Sequence, residues 1–586
     1  MSRADGAVLA ERVGRAGART GYQAVLDWLN AWGIETVSGV TGGGVIHFLS
    51  HMEAWDAGGV AAGGGPRLFN LGEYSAGFVP LGGFLATGKV GACVATTGAA
   101  TKLLACGLSD AKMHDIPAVY IVPVSARRNE ALCPLQDSSS RGNNAVAALE
   151  AELPGGVFVL DDPVSVEWRL SEAGRRLARS KPVVLVLEHG ALARPAVPLA
   201  PQPAEADDDP EADVDGFAAR FVRACEGRRV VILAGEELAR FEGSGAATTR
   251  LCELLGAPMV WSLNGANGTE RGNPYGFGYI SFGGNDRALQ LWRDLGPDDV
   301  LLVLGACPDE YTVSLQDFAA GDTFLATALD DGYGQHGGSF RHRARGRFEQ
   351  VTAPLDRVLR GLIRMVERRR PGNVRSAPAP ADLNVRRPEP PSPGCVDFAD
   401  LLRRLDGRWP ENTVGFDDVC LSYKDRPFVT QRAHPNARFF SLYRGSAMGN
   451  VLGLACGAKL ASPRSHVVAF TGDGCFRLFA GGLGEASGLG ILLFVLDNAS
   501  YGIVEQGVPT IIPGLDRARR HTDLVRLDYA AMARACGWEA SELTPGLETL
   551  DAVLDAHWRG GGRSHLVRVP IDPTQLLGAN PRAHNL

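Results

Sequence analysis

The sequence predicts an α/β protein made of three consecutive α/β domains, each with a mainly parallel sheet flanked by helices. Three observations predict it. Short apolar, β-rich runs alternate with helix-compatible segments along the chain, the pattern of parallel sheets covered on both faces. Two proline-rich polar breaks interrupt that alternation: Pro195 to Asp213, which runs into Asp207-Asp208-Asp209-Pro210, and Pro371 to Pro393, which contains Pro388-Glu389-Pro390-Pro391. At 586 residues the chain is also too long for one ordinary core, yet it divides into three pieces of foldable size. The expected boundaries are 1–196, 214–370 and 394–586.

The elements follow in order. The first twenty residues are rich in Ala, Gly and Arg and lack an apolar core, so they read as a flexible extension rather than a secretory signal. The first domain then shows strand-like runs at Gly91–Thr96, Ala118–Val122 and Val183–Leu187. The middle domain has Arg229–Gly235 and Val300–Gly305. The glycine turn after the first of these, followed by Glu236-Glu237, could hold a flavin or another nucleotide, but a lone strand–glycine turn does not support that reading over a structural one. The last domain has Val467–Phe470, Ile491–Leu496 and Ser564–Val569.

Composition excludes several function classes. With 45% hydrophobic and 21% charged residues the chain is an ordinary globular protein. A formal net charge of -7 and a pI of 6.0 argue against nucleic-acid binding, and Arg368-Arg369-Arg370 reads as a solvated helix end. Eleven cysteines without a C-x-x-C pair suggest neither a disulfide framework nor a zinc site, and a reducing cytoplasm is the simplest setting. No stretch is long and apolar enough to span a bilayer.

The chemistry concentrates in Thr471-Gly472-Asp473-Gly474 and, about two dozen residues on, Leu496-Asp497-Asn498. Each follows a buried-strand pattern, so each strand ends in an oxygen ligand where open α/β sheets gather their ligands. A carboxylate and an amide carbonyl there suit Mg²⁺, which usually keeps phosphate oxygens among its ligands. The glycines let backbone N–H groups approach a phosphate closely.

This pair of segments resembles the metal–diphosphate motif of thiamine-diphosphate-dependent enzymes, which begins Gly-Asp-Gly and ends in Asn. Further segments follow that family's order: Thr20–Gln23 through Trp32–Ile34, Asn70-Leu71-Gly72-Glu73, Ala86–Lys89, and Thr96–Thr101. The resemblance is to the three-domain branch containing acetolactate synthase and 2-oxo acid decarboxylases. It implies thiamine diphosphate and Mg²⁺ as cofactors, with Asp473, the Asn498 side chain and the Ser500 carbonyl as metal ligands. It places Gly472, Gly474, Cys475, Tyr501 and Gly502 around the diphosphate, and Ser446 and Met448 beside the cofactor rings. Met448, in Gly445-Ser446-Ala447-Met448-Gly449, would wedge the cofactor into its bent form.

By the same resemblance Glu73 would hydrogen-bond the pyrimidine nitrogen and favour the imino tautomer that removes the C2 proton; a carboxylate capping the following helix is the competing reading. Gln136 is the other expected catalytic residue. Acetolactate synthase-like enzymes carry Gln at that place, whereas simple pyruvate decarboxylases carry adjacent histidines, and this sequence has no His-His pair. The implied activity is therefore decarboxylation of a 2-oxo acid donor followed by carboligation to a carbonyl acceptor, in a specialised pathway. The alternatives are a phosphonopyruvate- or sulfopyruvate-type decarboxylase and a catalytically silent binding or regulatory homologue. The family implies a homodimer or homotetramer with active sites at the interface. Around the substrate the sequence departs from the family: Thr41–Gly44 replaces Pro-Gly, Ala99 and Lys102 replace Pro and Asn, and Asp417-Asp418 lies in a loop expected near the cofactor. Lys102 could hold an anionic substrate; Asp417 and Asp418 could orient a hydroxylated or cationic one or cap the surface. Tyr501, Glu505 and Gln506 are expected to line the pocket.

Overall fold

A computed structural model describes residues 19–56, 65–126, 129, 132–203, 213–334, 339–560 and 562–586. Their strands form three all-parallel sheets of seven, six and six strands in consecutive stretches of the sequence, flanked by helices. This is the α/β class that the alternating pattern predicts.

The first sheet comprises β1 (Thr36–Gly39), β2 (Glu53–Ala54), β3 (Arg67–Asn70), β4 (Gly91–Val94), β5 (Ala118–Val124), β6 (Val157–Leu160) and β7 (Val183–Glu188), in the order β2-β3-β1-β4-β5-β7-β6. The second comprises β8 (Arg229–Ala234), β9 (Met259–Trp261), β10 (Gly276–Tyr279), β11 (Asp299–Leu304), β12 (Asp322–Thr327) and β13 (Arg347–Thr352), ordered β10-β9-β8-β11-β12-β13. The third comprises β14 (Thr413–Asp417), β15 (Ala437–Phe440), β16 (His466–Gly472), β17 (Ile491–Asp497), β18 (Glu539–Glu542) and β19 (His565–Pro570), ordered β15-β14-β16-β17-β19-β18. Their central strands are almost continuously apolar because helices cover both faces; Val230–Ala234 and Ile491–Asp497 are buried throughout.

The described chain divides into two compact units. One holds residues 19–203, 444–465 and 479–491; the other holds 213–443, 466–478 and 492–586. In the first unit, Trp28, Leu29, Val37, Val94, Ile121 and Leu185 belong to one core beneath the sheet. The helix Val451–Ala461 joins this unit by packing on the helix Val79–Thr87. A side chain at Gly82 would collide with the Leu454 backbone and one at Gly457 with the Val79 carbonyl, so glycine permits the close crossing. In the second unit, Phe217, Phe221 and Phe324 pack below the middle sheet, and Phe470 stacks on Phe494 between motif strands at a centroid distance of 5.0 Å.

Several expectations change. The extension reading covers residues 1–20, of which 1–18 lie outside the described residues. Arg19 and Thr20 are ordered: Arg19 Nε donates to Glu167 Oε1 at 3.0 Å, and Thr20 forms a capping box with Gln23 at the start of the helix Gly21–Ala31. The Pro371–Pro393 stretch carries linker composition but lies on the second unit, where Leu383 is fully buried, its N–H donates to Gln431 Oε1 at 2.7 Å, and Arg386 pairs with Asp286 at 2.7 Å. The sequence between the motif strands is not one helix but three short pieces, Asp473–Phe476, Ala480–Gly482 and Leu483–Ala486. Arg368 and Arg369 do close a helix, Leu355–Arg369, at an exposed end. Among the described residues no helix is long and apolar enough to cross a membrane.

After the nucleotide-like turn of the middle sheet a buried carboxylate is satisfied by its own chain. The strand order reverses between β8 and β11, the place where such sheets bind ligands. There the buried Glu237 carboxylate accepts the Thr327 hydroxyl at 2.9 Å and the Ala328 N–H at 2.7 Å.

Candidate functional site

In the second unit β16 and β17 lie side by side, so Asp473 and Asn498 emerge from adjacent strand ends. Asp473 is buried; its Oδ1 accepts the Gly474 N–H at 2.9 Å, and the Ala499 N–H also donates to its carboxylate. Its Oδ2 is buried without a hydrogen-bond partner. Burial, with the Asp497 carboxylate beside it, pushes the Asp473 carboxyl up to about 6 against the pull of those N–H groups and Arg477. Asp497 is itself held by Arg568 at 2.6 Å, and its Oδ1 too is buried without a partner.

The turn after β17 is shaped by its own side chains. Asn498 Oδ1 accepts the Ser500 N–H at 2.9 Å, which folds the chain over Ala499 in a left-handed conformation, φ 52°. The Ser500 carbonyl accepts the Gly502 N–H at 2.9 Å and keeps its second lone pair, while Ser500 Oγ is buried without a partner. A Cβ at Gly474 would lie 2.7 Å from the Tyr501 ring, so glycine lets that ring pack against the turn. Gly472 and Gly502 flank the two ligand turns, and Cys475 is buried with its thiol directed at the Val419 carbonyl at 3.2 Å. One carboxylate oxygen without a partner, one amide oxygen and one peptide carbonyl at adjacent strand ends fit a hard dication. Among the described residues no cluster of three His, Cys, Asp or Glu side chains offers a metal site, and a set with a single carboxylate does not require one.

Asp417 and Asp418 do not face solvent, so the surface-capping reading fails. β14 runs through Asp417, which is fully buried and accepts Arg426 Nε at 2.8 Å, with the guanidinium over the Phe439 ring. Asp418 is also fully buried; its Oδ2 accepts the Thr471 hydroxyl at 2.8 Å and its N–H donates to the Phe470 carbonyl at 2.9 Å. It therefore fastens β14 to β16 two residues before Asp473. Glu505 is taken up by Arg520 at 2.7 Å and Thr522 at 2.6 Å, and the Gln506 amide donates to the Pro573 and Gln575 carbonyls. Of the three expected lining residues, Tyr501 alone is open, at 38% exposure.

In the first unit the carboxyl ends of β3, β4 and β5 bring Glu73, Thr97 and Gln136 to one edge of the sheet. Glu73 opens the helix Glu73–Ala76, but the N-cap is Gly72 and no side chain caps that end. Among the described residues the half-buried Glu73 carboxylate has no hydrogen-bond partner, so the capping reading fails. Gln136 sits in a left-handed turn, φ 57°, and its Oε1 accepts the Thr97 hydroxyl at 2.6 Å. Lys102 is exposed on the helix Ala100–Met113.

Met448 and Ser446 belong to this same unit. The neighbour of Glu73, Tyr74, donates its hydroxyl to the Met448 carbonyl, 374 positions away. Asp110, buried on the helix Ala100–Met113, accepts the Gly445 N–H at 2.9 Å. Neither Tyr74 nor Asp110 was expected from the sequence. Asp110 is the only acid of the helix Ala100–Met113, and that was the available signal.

Comparison with known proteins agrees with both halves. Residues 19–142 match the thiamine pyrophosphate enzyme, N-terminal TPP binding domain, and residues 428–569 match the corresponding C-terminal TPP binding domain. The chain belongs to the thiamine pyrophosphate enzyme family. It is 25% identical over 570 residues to the acetolactate synthase isozyme 2 large subunit of Escherichia coli K12, covering 94% of this chain and 95% of that protein. It is 24% identical over 508 residues to an acetolactate synthase of Mycobacterium bovis, covering 83% and 77%. In structure it is similar to the thiamine diphosphate-dependent 4-hydroxybenzoylformate decarboxylase of Rhodococcus jostii RHA1, with a TM-score of 0.73 and 19% identity over 94% of this chain and 99% of that one. It is thus a thiamine diphosphate-dependent enzyme related to acetolactate synthases, and it shares its fold with that decarboxylase.

Proposed function

We propose that the protein decarboxylates a 2-oxo acid and joins the remaining acyl unit to a carbonyl acceptor, in a specialised pathway rather than branched-chain amino-acid synthesis. Bound thiamine diphosphate would supply a nucleophilic carbon for the donor's carbonyl and an electron sink for the loss of CO₂. Asp473, Asn498 and the Ser500 carbonyl would hold Mg²⁺, and the Gly474 turn would leave room for a diphosphate. Glu73, whose carboxylate has no hydrogen-bond partner among the described residues, would exchange a proton with the cofactor's pyrimidine nitrogen. Met448 would hold the cofactor rings in place. A homodimer or homotetramer with active sites at the interface is the working unit we infer.

One observation carries the choice of ligation over simple decarboxylation. The side chain at the Gln136 position is a neutral amide whose oxygen accepts the Thr97 hydroxyl at 2.6 Å and whose Nε2 is a donor. An amide can orient a carbonyl or carboxylate but has no proton to deliver at neutral pH, so it does not promote release of a free aldehyde. The acetolactate synthases that this chain matches over most of its length support the same reading.

The test is product analysis. Enzyme, Mg²⁺, thiamine diphosphate and ¹³C-labelled 2-oxo acids are incubated with and without acceptor aldehydes and 2-oxo acids and read by NMR. A labelled 2-hydroxy ketone or 2-hydroxy-2-alkyl-3-oxo acid is expected. Stoichiometric aldehyde with no labelled C–C adduct under any acceptor would establish the decarboxylase instead, and no turnover of any 2-oxo acid would favour a silent homologue.

A further inference from the structure

The segment Arg444–Met448 is gripped by the last turn of the helix Ala100–Met113. The Arg444 N–H donates to His114 Nε2 at 3.2 Å, and its guanidinium donates to the Met113 carbonyl at 2.8 Å. Between these contacts and Met448 stands Asp110, fully buried. Its Oδ1 accepts the Gly445 N–H at 2.9 Å, the Ala447 N–H also donates to its carboxyl, and its Oδ2 is buried without a partner. The two backbone donors bracket Ser446, a non-glycine residue in the left-handed region at φ 53°. Such a conformation is unfavourable for a residue with a Cβ and persists only where its surroundings hold it. Gly445 answers to the same contact, since a Cβ there would collide with the Asp110 carboxyl and approach the Met113 methyl at 3.0 Å.

We propose that Asp110 is a positioning residue: its carboxyl holds Gly445 and Ala447 so that Ser446 turns left-handed and presents Met448 to the cofactor. Tyr74 fixes the far end of the same turn through the Met448 carbonyl, and Glu73 precedes it on its helix. One buried acid thus sets the geometry of a cofactor-contacting side chain 338 positions later in the chain, without touching the cofactor. Burial pushes the Asp110 carboxyl up to about 8, against the Gly445 and Ala447 N–H groups and Arg444, so at neutral pH a neutral acceptor is what the turn requires. Cys106 and Tyr120 are the other titratable groups that feel it. The proposal rests on the reading of Met448 as a cofactor contact.

The experiment compares Asp110→Ala, Asp110→Asn and Gly445→Ala in the full-length enzyme. It reads amide hydrogen exchange at Gly445–Ala447, thiamine diphosphate affinity with Mg²⁺, and kcat. Asp110→Ala should speed exchange in the turn and weaken cofactor binding by about tenfold, the scale of a lost hydrogen bond. Asp110→Asn, which keeps the acceptor without the charge, should restore both. Gly445→Ala breaks the contact from the other side and should repeat the loss, which keeps the test decisive if Asp110→Ala fails to fold. Unchanged exchange in Asp110→Ala and Gly445→Ala would overturn the positioning role. Faster exchange with unchanged affinity and kcat would instead show that the turn does not serve the cofactor, and the reading of Met448 would fall with it.

Discussion

Glu237 and Asp473 each follow a central strand of a parallel sheet, β8 and β16, within the same compact unit, and each carboxylate is buried. Around Glu237 the chain supplies the Thr327 hydroxyl and the Ala328 N–H, so both oxygens have donors at the point where the middle sheet would admit a nucleotide phosphate. Around Asp473 the chain supplies N–H groups for part of the carboxylate and leaves Oδ2 bare beside another acid, Asp497. A buried carboxylate without partners costs free energy unless something completes it. The same residue class at equivalent places in two sheets therefore serves two purposes. Glu237 is satisfied by its own chain; Asp473 is left with one buried oxygen unpartnered.

Three variants sharpen or break this contrast, in order of expected effect. Glu73 is a third carboxylate, without a hydrogen-bond partner among the described residues, and its proposed task is proton exchange rather than binding. Glu73→Gln should lose on the order of a hundredfold or more in turnover, the scale of general acid–base catalysis, while cofactor affinity measured by calorimetry stays nearly unchanged. Wild-type turnover would return it to a purely structural place. Glu237→Ala strands the Ala328 N–H and should destabilise the metal-free protein by about 1–3 kcal/mol in denaturant unfolding, with cofactor affinity untouched. A variant that kept its stability but lost cofactor binding would erase the distinction between the two sites.

Asp473→Asn should act in the opposite sense on the metal-free protein. The folded chain holds the Asp473 proton up to about 6, whereas an unfolded carboxyl releases it near about 4. The folded state binds more protons across that window, so this group's contribution falls as pH rises through it. The variant lacks this dependence. Thermal unfolding without metal should show it as stable as the wild type or more so at pH 7, with any advantage shrinking as the pH falls toward 4. A marked loss of stability at pH 7 would mean that Asp473 is a structural acid like Glu237.

Much of this was legible in the sequence, and the reasons for the remainder are physical. Apolar runs such as Ile491–Leu496 announced buried strands, and Gly-Asp-Gly with a downstream Asn announced turns at their carboxyl ends, because both signals are local. The fate of Asp417 and Asp418 was not local. Two acids in a loop expected near the cofactor read as substrate-orienting or surface-capping groups until Arg426 and Thr471 return to claim them. Asp110 and Tyr74 lie hundreds of positions from the turn they hold, and no spacing rule links them to Met448. The proline-rich stretch before Cys395 showed linker composition, which does not reveal that Leu383 finds a pocket along the way. The strand–glycine turn before Glu236-Glu237 looks nucleotide-like on a local signal alone, and that signal does not reveal the Thr327 and Ala328 contacts that engage Glu237.

The central claim is that the bare oxygen of Asp473 completes a Mg²⁺ site for the diphosphate. Calorimetric titration of thiamine diphosphate into wild type and Asp473→Ala, each with Mg²⁺ and with a chelator, tests it directly. Saturable binding by the wild type with Mg²⁺ only, and by the variant in neither condition, is the predicted result. Unchanged affinity in Asp473→Ala, or full affinity of the wild type under chelation, would contradict it.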